Sequence, residues 1–184
     1  MSLAIIQHKE NYLSAALESS GVADFIYEDR RPKFTIEQLL ELGFHPQPTI
    51  AFRASWILES WAEHIPETFS PYITQFLSGI AKQKNKSCQR HYTKILMFIT
   101  HPKAPQCYKE TLTEENRELI IYWMFEWLAD RTTPVAVSTN CMDILYALSA
   151  EVPEVREELK HQIELLLVLN PTPAVLSRSK KWCR

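Results

Sequence analysis

A chain of 184 residues, 46% hydrophobic and 23% charged, is long enough to build one domain around a sizeable core. Its formal net charge of −2 excludes a whole-protein field that would draw it to nucleic acid or to an anionic membrane. Three glycines leave few positions for tight hairpins or phosphate-cradling loops, which argues against a β-rich fold and against nucleotide binding.

In chain order, an N-terminal helix is expected over 4–18, and a short helical turn over 22–31. Gln7, His8, Lys9 and Glu10 break the apolar run that a signal peptide would need. From residue 35 onward, caps and prolines mark the helix starts. Thr35 and Gln38 form a capping box, with Phe34 placed to staple Leu39, and predict a helix over 35–43. Pro48 opens a helix over 48–65, where a first-turn proline loses no hydrogen bond. Ser70-Pro71 opens one over 70–82, and a further helix covers 86–100. Residues 101–112, HPKAPQCYKETL, read as a proline-containing loop. Thr113, followed by Glu114 and Glu115, starts a helix over 113–130. Thr133-Pro134, Pro153 and Thr172-Pro173 start helices over 133–150, 153–169 and 172–182.

Paired, these starts give hairpins at 35–65, 70–100, 113–150 and 153–182, a spacing that predicts a single all-α repeat domain over 1–184 with 1–30 as its N-terminal cap. The longest apolar run, LIIYWMF at 119–125, falls far short of the ~20 residues of a membrane span. The four cysteines lack disulfide-framework spacing and read as reduced thiols in a cytoplasm, two of them in the core.

The helix over 48–65 carries apolar groups on two faces. Ile50, Ala54, Ile57, Leu58, Trp61 and Ile65 form one stripe, Phe52 and Trp56 lie elsewhere, and Arg53 sits on the flank. Such a helix must be covered from two sides, as a middle helix in a row of hairpins is. Phe52-Arg53 with Trp56 and Ser60 partly resembles the second helix of a HEAT repeat: an apolar residue, an arginine, a small or apolar residue three later, then an aliphatic position. Arg90 with Thr93 and Met97 follows the pattern less closely. Val137-Ser138 with Cys141 and Leu145 keeps it without the arginine, and Leu176-Ser177-Arg178 only suggests it. Trp56 is far larger than the family's usual small residue. The resemblance implies an α–α superhelix, armadillo-type in its architecture, with a role in protein interaction and no reaction.

Candidate binding residues follow. Arg53, Trp56, Arg90 and Lys94 are expected to line or edge a groove on the second helices. In 119–130 the helix is apolar nearly all round. Either it is buried on every side, or Trp123 and Trp127 form aromatic platforms beside Glu126. Lys82, Lys84, Lys86, Arg90 and His91, with Lys94, form the densest basic stretch, read as a solvated turn or as an anion contact. RSKKWCR, at 178–184, is a basic end with Trp182, expected either to fray or to cover the open end of the stack. Glu59 and Glu63 read as a solvated face. Cys88-x-x-His91 with His101 and Cys107 lacks the tight ligand pairs of structural zinc, so neither metal nor cofactor is expected. No P-loop, Gly-x-Ser-x-Gly or His-Glu-x-x-His motif is present. The Gly-Ser-Ser-x-Met-Pro-x-Lys-x-Asn loop of the fumarase and adenylosuccinate lyase group is also missing. The expectation is a non-enzymatic module that binds a protein or peptide. The alternative is nucleic-acid binding of the kind seen in HEAT-like alkylpurine DNA glycosylases.

Overall fold

A computed structural model describes residues 34–182 together with His8 and Asn11. The expected helix over 4–18, the turn over 22–31 and the cap over 1–30 otherwise lie outside the described residues. All regular structure is helical, and no strand occurs among the described residues. The chain divides into two compact units, Met1–Ile95 and Leu96–Arg184.

In the first unit, α1 (Ile36–Leu42) begins at the expected capping box. Thr35 Oγ1 accepts from the Gln38 backbone N–H at 3.4 Å, and Gln38 Oε1 accepts from the Thr35 N–H at 3.2 Å. It packs on α2 (Pro48–His64), which buries Ile50, Ala54, Ile57, Leu58 and Trp61 as the stripe predicts. The single helix expected over 70–82 is instead broken. It runs as α3 (Pro66–Phe69), a 3-10 turn (Ser70–Tyr72) and α4 (Ile73–Ile80). Pro71 has no N–H to offer an α-helical ladder, so the chain tightens around it. Ser70 does not cap; its hydroxyl donates to the Glu67 carbonyl at 3.4 Å. α5 (Lys86–Thr100) starts on Asn85, whose Oδ1 accepts from the N–H groups of Ser87 at 3.0 Å and Cys88 at 3.4 Å. The core of this unit is aromatic: Phe76 meets Phe69 at 5.8 Å and Tyr92 at 4.8 Å between ring centroids.

The second unit takes the last turn of α5 and adds α6 (Gln106–Thr111), α7 (Glu114–Ala129), α8 (Val135–Leu148), α9 (Pro153–Leu169) and α10 (Pro173–Trp182). α6 lies inside the stretch expected to be a loop. Six residues are too few to show a period, and buried Tyr108 anchors them. Thr113 caps α7 by accepting from Asn116 N–H at 3.2 Å, and Thr172 caps α10 by accepting from Val175 N–H at 3.3 Å. Thr133 does not cap α8, and its hydroxyl is buried without a partner. α7 packs on α8, and α9 on α10; α8 also touches α9 and α10. That two-sided cover is why α8 buries Val137, Cys141, Ile144 and Leu145 together. α7 departs from the reading that buried it on every side: Tyr122 is 55% exposed, and Glu118 and Glu126 are exposed beside it on one stripe. Among the described residues, no helix is long and apolar enough to cross a membrane.

Candidate interaction site

The seam between α2 and α5 is built by side chains one and two turns apart. Phe52, Ser55 and Glu59 fall on one side of α2 at helical spacing. His91 of α5 meets the first and last of them. Its ring lies edge-on to Phe52 at 4.8 Å, and Nδ1 is 2.5 Å from Glu59 Oε2. A carboxylate only accepts, so Nδ1 carries a proton and donates. One turn earlier the Cys88 thiol meets Ser55. Burial pushes that thiol up, and the Ser55 hydrogen bond offsets only part of the rise. Glu59 therefore does not belong to a solvated face with Glu63, which is exposed; it is tied into the seam. Cys88 and His91, considered as metal ligands, each have a protein partner. Among the described residues, no three His, Cys, Asp or Glu side chains gather as a metal group would require.

Trp56 stands one turn beyond Phe52, the rings 6.2 Å apart, and is 41% exposed. Of the residues expected with it, Arg53 is half-buried on the same helix; on α5, Arg90 is exposed and Lys94 half-buried. Thus two of the expected groove residues sit on each helix of the seam. In the other unit, Trp127 is 7% exposed and belongs to the core, Trp123 is half-buried with its ring edge-on to Tyr122 at 5.1 Å, and Glu126 faces solvent. Of the basic stretch, Lys82 and Lys84 are exposed and Lys86 is half-buried. Between the two exposed lysines the turn is held rigid by Gln83. Its Nε2 donates to the Gly43 carbonyl at 3.0 Å, its Oε1 accepts from Asn85 N–H at 3.0 Å, and its carbonyl accepts from Gln89 Nε2 at 2.9 Å. Asn85 already engages the first N–H groups of α5 that an anion would use.

A second site, missed in the sequence, lies in the second unit. Asp143 of α8 accepts from Arg178 at both oxygens, Nε to Oδ1 at 3.1 Å and Nη2 to Oδ2 at 2.6 Å. Oδ1 also accepts from Trp182 Nε1 at 3.2 Å. The bond to Asp143 pushes the Arg178 pKa up, so the guanidinium stays charged throughout. Trp182 stacks on Tyr146 at 3.6 Å. With one indole face so covered, the Lys181 ammonium lies over the other at 3.9 Å. Beside this cluster is a pocket of about 350 Å³ with apolar walls from Met97, Pro102, Ile144 and Ala147. The only hint in the sequence was the basic tail with Trp182; nothing local pairs residue 143 with residues 178 and 182. The tail expected to fray or to cover the open end of the stack is helical to Trp182 and is tied to α8.

The HEAT repeat domain family matches residues 9–182. Comparison with curated proteins and with solved structures gives no match.

Proposed function

The chain belongs to the HEAT repeat family, and on that premise we propose that it is a non-enzymatic interaction module that binds a protein or peptide. The four hairpins at 35–65, 70–100, 113–150 and 153–182 are its proposed repeats. The binding face is that of α2 and α5 in the first unit. One observation carries this: an indole, Trp56, is held from below by Phe52 yet left 41% open to solvent. A large, rigid aromatic on a pair of helices that also carries Arg53, Arg90 and Lys94 has the composition of an interface hot spot. Trp123 and Glu126 are proposed as a separate, lesser contact in the second unit. We place the protein in a cytoplasm, where Cys88, Cys107 and Cys141, all unpaired, stay reduced.

Nucleic-acid binding is the weaker reading. Lys82 and Lys84 sit on a turn, and the N–H groups next to them are already capped. Base excision also finds little support, because Trp127, one of the two aromatic platforms expected beside the Glu126 carboxylate, is buried in the core.

The test is capture at low salt from the native cell, wild type beside Trp56→Ala. Wild type is expected to retain a stoichiometric protein partner. Removing an exposed indole leaves the fold intact while weakening the complex about 30-fold, the ~2 kcal/mol of an aromatic hot spot. Recovery of no partner, or equal retention by Trp56→Ala, would overturn the proposal.

A further inference from the structure

We propose that the pocket beside Asp143 binds an acidic peptide segment, seating one apolar side chain on its walls while a neighbouring carboxylate pairs with Lys181. The inference rests on the interaction-module reading and adds to it a second site and the chemistry of its ligand.

Size comes first. About 350 Å³ is at the lower end of ligand pockets. That volume suits one large side chain with its flanking backbone and is small for an enclosed nucleotide or extended cofactor. The walls decide the anchor. Met97, Pro102, Ile144, Ala147 and Ala150 offer carbon surface, and burying a leucine-sized group against it contributes ~1.5–3 kcal/mol.

Charge decides the flank. Asp143, the one carboxylate side chain lining the pocket among the described residues, is committed to Arg178 and Trp182. Lys181 is left with its ammonium over the indole and with no carboxylate partner among the described residues. Among the other polar liners, the Thr100 hydroxyl donates to the Leu96 carbonyl, while His101 keeps a donor for a ligand. Its Nδ1 accepts from the Lys103 N–H at 3.0 Å, so in the neutral ring the proton is on Nε2. Exposed Lys180 and Lys103 adjoin Lys181 and His101 in the chain. An incoming carboxylate therefore meets cations and a donor.

The arrangement is also set in advance. Asp143 and Tyr146 fix Trp182, and Trp182 in turn holds Lys181. Side chains ordered before binding lose little entropy on contact, so even a short segment can be held.

The test uses the full chain and a fluorescein-labelled hexapeptide, glycine-serine-aspartate-leucine-aspartate-glycine. A version with both aspartates changed to lysine and a version with leucine changed to glycine serve as comparisons. Anisotropy gives affinity, and the Trp182 indole N–H signal, assigned with Trp182→Phe, reports location. The acidic leucine peptide should bind and shift that signal. Lys181→Glu, a change at an exposed side chain, should weaken it at least tenfold and improve binding of the lysine version. Ala147→Phe should fill the pocket and abolish binding while Lys181 remains. Trp56→Ala should change nothing here. The proposal falls if the acidic peptide does not bind, if all three peptides bind alike, if Lys181→Glu has no effect, or if the Trp182 signal does not move. Such a failure, with Trp56-dependent partner capture intact, would remove this site alone. Peptide binding without partner capture would do the reverse.

Discussion

Asp143 shows how much one side chain can organise. It joins α8 to α10 through a bidentate guanidinium contact and also holds the indole that closes one side of the pocket. Both carboxylate and guanidinium are partly shielded from water, so the pair exceeds a surface ion pair in strength. Asp143→Ala leaves a half-buried guanidinium and an indole N–H without their acceptor. It is expected to lower stability by about 2–3 kcal/mol, read as a fall in the urea midpoint at an unchanged slope. A loss under ~0.5 kcal/mol would mean the contact is ornamental. At this scale the sequence was a poor guide. Glu59 and Glu63, four apart, share the helix side expected to face solvent; only His91, 32 residues away, brings Glu59 inside. Trp127 and Trp123 look alike in the sequence, yet only the first is in the core.

Helix starts were far more legible than side-chain environments, because a cap acts over three or four residues. Thr35, Thr113 and Thr172 all accept from the N–H three residues on, as their spacing implies. Thr133 and Ser70 carry the same signal and do not cap: α8 starts only at Val135, one residue later than the signal implies, and Ser70 lies inside a 3-10 turn. The short α6 is not legible in the sequence because periodicity needs more residues than it has. The basic turn between α4 and α5 gives no sign in the sequence of what holds it: Gln83 reaches back to the end of α1. Gln83→Ala leaves the Gly43 carbonyl and the Asn85 N–H without their partner in a buried place, at a cost of about 2–3 kcal/mol. The check is thermal unfolding together with amide exchange. Exchange should speed at Asn85 and through the first turn of α5, and should stay unchanged in α9 and α10.

For the whole chain, stability should fall on the alkaline side. Burial pushes up the pKa values of Cys88, Cys141 and the Tyr92 phenol. Each group stays protonated in the fold while its unfolded counterpart ionises, the thiols near pH ~8.5 and the phenol near ~10. The folded state then holds more protons than the unfolded one, so stability is intact below pH ~8 and declines as pH rises. The slope is about 1.4 kcal/mol per unit for each fully buried group. Urea midpoints at pH 7.5 and 10.5 measure it, and Cys141→Ala should flatten the part of the fall that begins first. A midpoint that is level across this range would contradict the buried, protonated state of these groups.

By itself the sequence determined the all-α class, the HEAT-like hairpins, the positions of most helices and the apolar stripes they bury. Those follow from local rules: 3.6-residue periodicity, capping within one turn, and the missing N–H of proline. Tertiary structure alone decided which charges are joined and which aromatics stay open. Glu59 with His91, Asp143 with Arg178 and Trp182, and the pocket beside them each unite residues more than thirty apart. Such contacts depend on the rotation and offset of one helix against the next, and the sequence spacing within any single helix does not contain that information.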